Sequence, residues 1–345
     1  DYNVGMGVDA GTAITEGQQN IGIGGYALYR ATTGSNNTAV GYASSENITT
    51  TSNNTAVGHL TLRANTTGAS NTAIGKDALR ANTTGSYNNA FGETALTANT
   101  TGSYNSAFGN LALENNTTAN SNTGIGYKAL FANTTGFSNT TVGTNSLDAN
   151  TTGSNNVAMG QSALGTSTTG SNNTALGSNS LVASTTASSN TAVGYRSLRA
   201  NTAAQNTAVG QDSFYTNTTG TGGVALGFMA GYSNTTGGSN TAIGYQSLLS
   251  NTTASENTAV GYQAGYQNTT GLRNTSLGYH ALFNTTTSND NVALGQASLY
   301  ANTTGANNVA VGRQALVNNT TASNNTAVGY KAAYSNTTGD IAAFG

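Results

Sequence analysis

The residues of this chain with a recognisable chemistry form one evenly spaced set of asparagines. At one and the same repeat position thirteen coils read Asn-Thr-Thr, at Asn65, Asn82, Asn99, Asn116, Asn133, Asn150, Asn217, Asn234, Asn251, Asn268, Asn302, Asn319 and Asn336. An Asn with Thr two residues later is an acceptor for an N-linked glycan, and Pro, which blocks transfer, is absent from the chain. In six of the thirteen an aromatic residue stands two positions before the Asn: Phe131, Tyr215, Tyr232, Tyr266, Tyr300 and Tyr334. A ring so placed could lie against the apolar face of a first sugar. The competing reading is structural, because Asn and Thr are turn residues and stacked amides bond one another. Residue types alone leave both open. Further sequons occur at Asn47 and Asn139.

Other chemistry is thin. The two histidines, His59 and His280, lie far apart in the chain and cannot form a pair. Asp77, Asp148, Asp212 and Asp290 occupy no common repeat position, whereas a calcium-binding roll needs a carboxylate ladder in every turn. Gly22-Ile23-Gly24-Gly25 resembles a phosphate loop but lacks the Lys-Ser/Thr and the helix that would follow it. Arg63, Arg80, Arg196 and Arg199 are scattered rather than striped. No catalytic residue, metal site or cofactor is expected, and the chain reads as a non-enzyme.

Composition narrows the class further. Only 6% of the 345 residues are charged, with a net charge of −2, against about 25% charged in ordinary soluble domains. No strong positive field is available for nucleic acid or an anionic membrane surface. The absence of Cys excludes disulfides and thiolate metal sites. There is no apolar run of about 20 residues, so no membrane span is expected. Beginning at Asp1, the chain is expected to be a mature product or a fragment, and soluble.

What must position the asparagines is a repeat. Setting each Gly that closes an x-Ala-x-Gly unit to zero, these glycines recur from Gly7 to Gly345 with eighteen intervals of 17 residues and two of 16. The consensus is Asn-Thr-Ala-Val-Gly-Tyr-x-Ala-Leu-x-Ala-Asn-Thr-Thr-Gly-Ser-Asn. Positions −3 and −1 hold Thr or Val and an aliphatic residue, as in Val292 and Leu294, around an Ala at −2. That alternation is the two-residue period of a strand, with −3 and −1 expected inward and Ala outward. Leu at +4 and Thr at +8 suggest a second strand, inward at +4, +6 and +8, which puts Asn at +7 and Thr at +9 outside. Gly at 0 and +10 would supply positive-φ corners. One such coil cannot bury its apolar face, but stacked coils can. The expected fold is therefore an all-β parallel β-solenoid of about 20 coils. Residues 1–20 form a divergent first coil, a cap or assembly segment, and 21–345 a single repeat domain. At ~4.8 Å per coil the expected rod is on the order of 100 Å long.

The units Asn291-Val292-Ala293-Leu294-Gly295, Asn308-Val309-Ala310-Val311-Gly312 and Asn71-Thr72-Ala73-Ile74-Gly75 resemble the head repeats of trimeric autotransporter adhesins and related phage-tail-fibre-like proteins. The resemblance implies a left-handed parallel β-roll with Val292 and Leu294 pointing inward, and a surface-binding role for a trimeric rod.

Three functions follow as expectations. The first is an extracellular fibre subunit that assembles with copies of itself, head to tail or laterally, and carries N-linked glycans on the Asn-Thr-Thr column. Its ground is the repeat, the uncharged polar surface and the final segment Asp340–Gly345, which ends as a bare strand. The second is an adhesin-like or tail-fibre-like rod at the cell surface. The third is ice recognition by the Thr +9 column.

Overall fold

The computed structural model describes residues 2–337 and 339–345. Asp1 and Thr338 lie outside the described residues; Thr338 is the +9 threonine that closes the Asn336 sequon. The chain is all-β: each coil contributes one three-residue strand, from β1 (Val4–Met6) to β21 (Ala342–Phe344), and no helix occurs among the described residues. Two compact units result, Asp1–Asn173 with β1 to β10 (Val157–Met159) and Thr174–Gly345 with β11 (Thr174–Leu176) to β21. Within each unit every strand pairs in parallel with the next, residue for residue, as Thr72↔Asn89 in the first and Val292↔Val309 in the second. This is the parallel β-solenoid with a 17-residue repeat that the sequence predicts. The 16-residue interval after Gly194 drops one residue from a corner, and β12 (Thr191–Val193) still pairs with β13 (Thr207–Val209) in register. The divergent segment 1–20 joins the same ladder, with Val4 opposite Ile21.

The strand faces are reversed relative to the expectation. Ala at −2 is the buried residue: Ala107 and Ala293 are 0% exposed. The flanking residues face out; Phe108 is 39% and Leu226 45% exposed, and Val292 and Leu294 are half-buried. The inward orientation that the resemblance implies for Val292 and Leu294 is thereby overturned. The reason is the width of the coil. At Gly124, which stands at −2, a Cβ would meet the side chain of Leu113 at 3.4 Å and the Ala129 carbonyl oxygen at 3.1 Å. The interior at this level takes only a small −2 side chain, Ala in most coils and the buried Thr141 and Ser276 in two of them.

The second strand is replaced by turns. Residues at +2 and +4 take positive φ, as in Thr94 (57°), Leu96 (54°), Leu111 (62°) and Leu113 (53°), and so do residues at +12, such as Tyr104 (61°). A left-handed residue with a side chain costs about 1–2 kcal/mol. Here each is offset by complete burial of Leu +4 and by hydrogen bonds between coils. Leu96 N donates to Ala112 O at 3.1 Å, Ala98 N to Glu114 O at 2.9 Å, and Tyr104 N to Ser86 O at 3.1 Å. Gly at 0 does adopt positive φ, from 123° at Gly24 to 140° at Gly58, a region that residues with a Cβ avoid. Gly at +10 does not; a Cβ on Gly85 would instead strike the carbonyl of Gly102 in the next coil.

Candidate functional site

Turning the +4 to +10 segment into a corner rather than a strand decides where the asparagines point. Twelve of the thirteen expected acceptors, from Asn65 to Asn319, are buried at 0–2% exposure, and Asn336 is half-buried. The expected outward placement of the +7 column is corrected: these side chains lie inside the coil. Each amide is used twice. Asn82 Nδ2 donates to Asn65 Oδ1 at 3.0 Å and to Gly85 O at 2.9 Å; Asn99 Nδ2 donates to Asn82 Oδ1 at 2.8 Å and to Gly102 O at 2.9 Å. The backbone turn of Asn-Thr-Thr-Gly folds its own Gly carbonyl back onto the Asn, closing the corner internally.

A second amide ladder runs at −4, which residue types had left without a role. Asn88 N and Nδ2 donate to Asn71 Oδ1 at 2.9 and 3.2 Å, and Asn105 repeats the pattern onto Asn88 Oδ1. Asn139, another sequon asparagine, belongs to this ladder and is fully buried. The two ladders converge on one acceptor per coil: Gly102 O receives Nδ2 of Asn88 at 2.8 Å and of Asn99 at 2.9 Å. A narrow coil leaves corner carbonyls far from water, and a buried carbonyl requires a donor. Asn supplies that donor, and its own oxygen is satisfied by the amide of the next coil.

The ladder is interrupted at two places where Asn is replaced, and again at Asn319, whose Oδ1 is without a partner among the described residues because Asn336 Nδ2 donates to Asn325 Oδ1 instead. Asn150 Oδ1 and Asn268 Oδ1 are buried without a partner, and the residues one coil on are Ser167 and Thr285, too short to donate back. Thr285→Asn is expected to restore the missing donor to Asn268 and stabilise the second unit by about 1 kcal/mol. Denaturant unfolding, with hydrogen exchange at residues 251–302, checks it; Thr285→Ala should give no gain.

The outer columns are also committed to neighbouring coils. Thr at +8 is mostly half-buried rather than internal, and its hydroxyl donates to the +8 carbonyl of the next coil, as Thr83 Oγ1 to Thr100 O at 3.0 Å. Thr at +9 stands exposed in single file, as Thr67, Thr84 and Thr101 do. The aromatic residues at +5 do not share a face with Asn +7. They stack on one another, Tyr215 on Tyr232 at 5.1 Å and Tyr266 on Phe283 at 5.0 Å. The +1 column does the same: Tyr245, Tyr262 and Tyr279 follow at 5.2 and 5.3 Å with nearly parallel rings. Stacked rings cover each other's faces, so they offer edges rather than platforms for a sugar.

His59 stacks on Tyr42 at 5.6 Å in the first unit. In the second unit His280 lies among Tyr262, Tyr279, Phe283 and Tyr300, with its Nε2 2.9 Å from Gln263 Oε1. Burial holds its pKa below the ordinary histidine value, favouring the neutral ring. Acids and bases pair across coils: Glu46 with Arg63 at 2.6 Å, Arg196 with Asp212 at 2.8 Å, Arg273 with Asp290 at 2.7 Å. The Arg273 guanidinium holds the Asp290 carboxyl below the usual carboxylate range. Spacings of 16 or 17 residues between opposite charges were the signal for these pairs, legible once the repeat is aligned. Among the described residues no group of three His, Asp or Glu side chains could hold a metal ion, and no helix is long and apolar enough to cross a membrane. Neither a scan against protein-family profiles nor a search of curated proteins finds a match for this chain.

Proposed function

We propose that this protein is a structural, non-enzymatic subunit of an extracellular filament, built by copies of the chain that continue one another's ladders. The observation that supports this most is the equivalence of the coils. Within each unit, each strand pairs with the next in the same register, so a coil offers its neighbour the same donors, acceptors and side-chain columns. A second copy can use that edge as an adjacent coil does, through main-chain pairing in a heterologous contact that propagates. The polar residues are spent on holding coils together rather than on gathering a reactive site. A charge-free strand face further supports association: Lys, Arg, Asp and Glu occur in none of the strands, and Ile125, Leu226 and Leu277 are 41%, 45% and 48% exposed there. Exposed apolar faces of this kind mark contact surfaces.

Electron microscopy with light scattering across a concentration series tests the reading. Filaments whose length grows with concentration are expected; a single monomeric species at the highest concentration overturns it. An adhesin-like binding role is the second reading. Supporting it is the aromatic cluster around His280, which breaks the uniformity of the repeat in the second unit.

A further inference from the structure

We propose that the acceptors for N-linked glycan on the folded protein are Asn36, Asn53, Asn172 and Asn324, at the +12 corner, and not the Asn-Thr-Thr column. The inference rests on the extracellular reading above and is tested separately from it. Transfer requires an approachable amide. The Nδ2 displaces a lipid-linked diphosphate at the anomeric carbon of the donor sugar. The C–N bond forms, the C–O bond breaks with its electron pair going to the diphosphate, and the amide gives one proton to a base of the transferase. The +7 amides are excluded from this by their surroundings: the Asn82 and Asn99 side chains are 0% exposed, with Nδ2 donating to two oxygens each. A sugar on either nitrogen would have to replace a ladder hydrogen bond inside the coil.

Four other sequons, all at the +12 corner, turn outward. In Asn36-Asn37-Thr38, Asn53-Asn54-Thr55, Asn172-Asn173-Thr174 and Asn324-Asn325-Thr326, the first residue is exposed and the middle one belongs to the buried −4 ladder. The Thr stands on the outward side of a strand, half-buried. With the middle residue pointing in, the Asn and Thr that a transferase must engage together share the outer side. The backbone assists: Asn36, Asn53 and Asn324 have φ of 58°, 63° and 61°, a left-handed corner that lifts the side chain off the coil. The side chains of Asn36 and Asn53 make no hydrogen bond among the described residues. Asn324 accepts one from Asn307 at 3.3 Å through its oxygen, leaving the nitrogen free. The triplet Asn-Asn-Thr hides this assignment in the sequence, because its middle Asn looks equivalent to the first.

The test uses the folded full chain incubated with an oligosaccharyltransferase and a lipid-diphosphate oligosaccharide, followed by peptide mass spectrometry. A short Asn-Asn-Thr peptide in the same reaction reports that the enzyme is active. Glycan on Asn36, Asn53, Asn172 and Asn324 is expected, with at least a tenfold loss of label in the Asn36→Gln, Asn53→Gln, Asn172→Gln, Asn324→Gln quadruple variant. Label retained by that variant, label on the +7 column, or no transfer while the control peptide is modified overturns the proposal. Whether filaments form is read by microscopy on the unmodified protein, so failure of one result does not decide the other.

Discussion

Ala107→Asp is expected to unfold the coils around β7 (Ser106–Phe108), while Phe108→Asp, one residue along the same strand, leaves them folded. Ala107 is 0% exposed and lies at the −2 position, where only small side chains are buried beside Leu +4. A carboxylate there would be both oversized and unpaired, a cost of about 4 kcal/mol or more. Phe108 is 39% exposed and stacks on Phe91 at 4.7 Å, so its loss removes one ring contact, about 1 kcal/mol. Hydrogen exchange at residues 89–125, read alongside denaturant unfolding, separates the two. The opposite ranking would mean that the strand faces are the other way round, with Thr and Val inside. Coils contact only their neighbours in a stack, so the damage from Ala107→Asp should spread along adjacent coils rather than remain at one position.

Asn88→Ala is expected to be nearly as damaging, at about 3–5 kcal/mol, even though it removes neither a charge nor a large apolar group. Asn88 Nδ2 reaches Gly102 O at 2.8 Å, and its Oδ1 accepts Asn105 N at 3.0 Å and Asn105 Nδ2 at 3.2 Å. Truncation leaves the Asn105 donors buried with one partner fewer each and creates a void that apolar atoms cannot satisfy. Asn88→Asp should not rescue, because it keeps the acceptor, loses the donor to Gly102 O and adds a buried charge. Tyr87→Ala serves as the local control. Tyr87 is 53% exposed and contributes a stack on Tyr104 at 5.1 Å, so a loss below about 1 kcal/mol is expected. Equal effects at Asn88 and Tyr87 would remove the amide ladder as a source of stability.

These two sites show where the sequence could be read and where it could not. The unit length, the Gly at 0 and the strand at −3 to −1 were all legible, because a spacing of 17 recurs and positive φ favours Gly. The direction of the strand was not, because a three-residue strand of Thr-Ala-Val satisfies either parity and hydrophobicity favours the wrong one. The +7 asparagines were assigned outward by extending strand alternation through a segment that is a turn. Once Leu96 and its counterparts adopt positive φ, side chains no longer alternate, and buried positions fall at −4, −2, +3, +4, +7 and +10. Leu at a left-handed position has no sequence signature, since its local cost is offset by contacts with another coil.

From the residues alone, stacking of like upon like follows: a repeat too short to bury its own apolar side must lay identical coils over one another. Which side of each coil is the inside was settled only in three dimensions. The deciding quantity is the diameter that closure of a 17-residue turn leaves, wide enough for a small −2 side chain, Leu and two columns of self-satisfying amides and too narrow for the larger aliphatic and aromatic residues at −1. That same closure draws the abundant Asn-Thr-Thr asparagines into the core and leaves the first Asn of Asn-Asn-Thr at the surface.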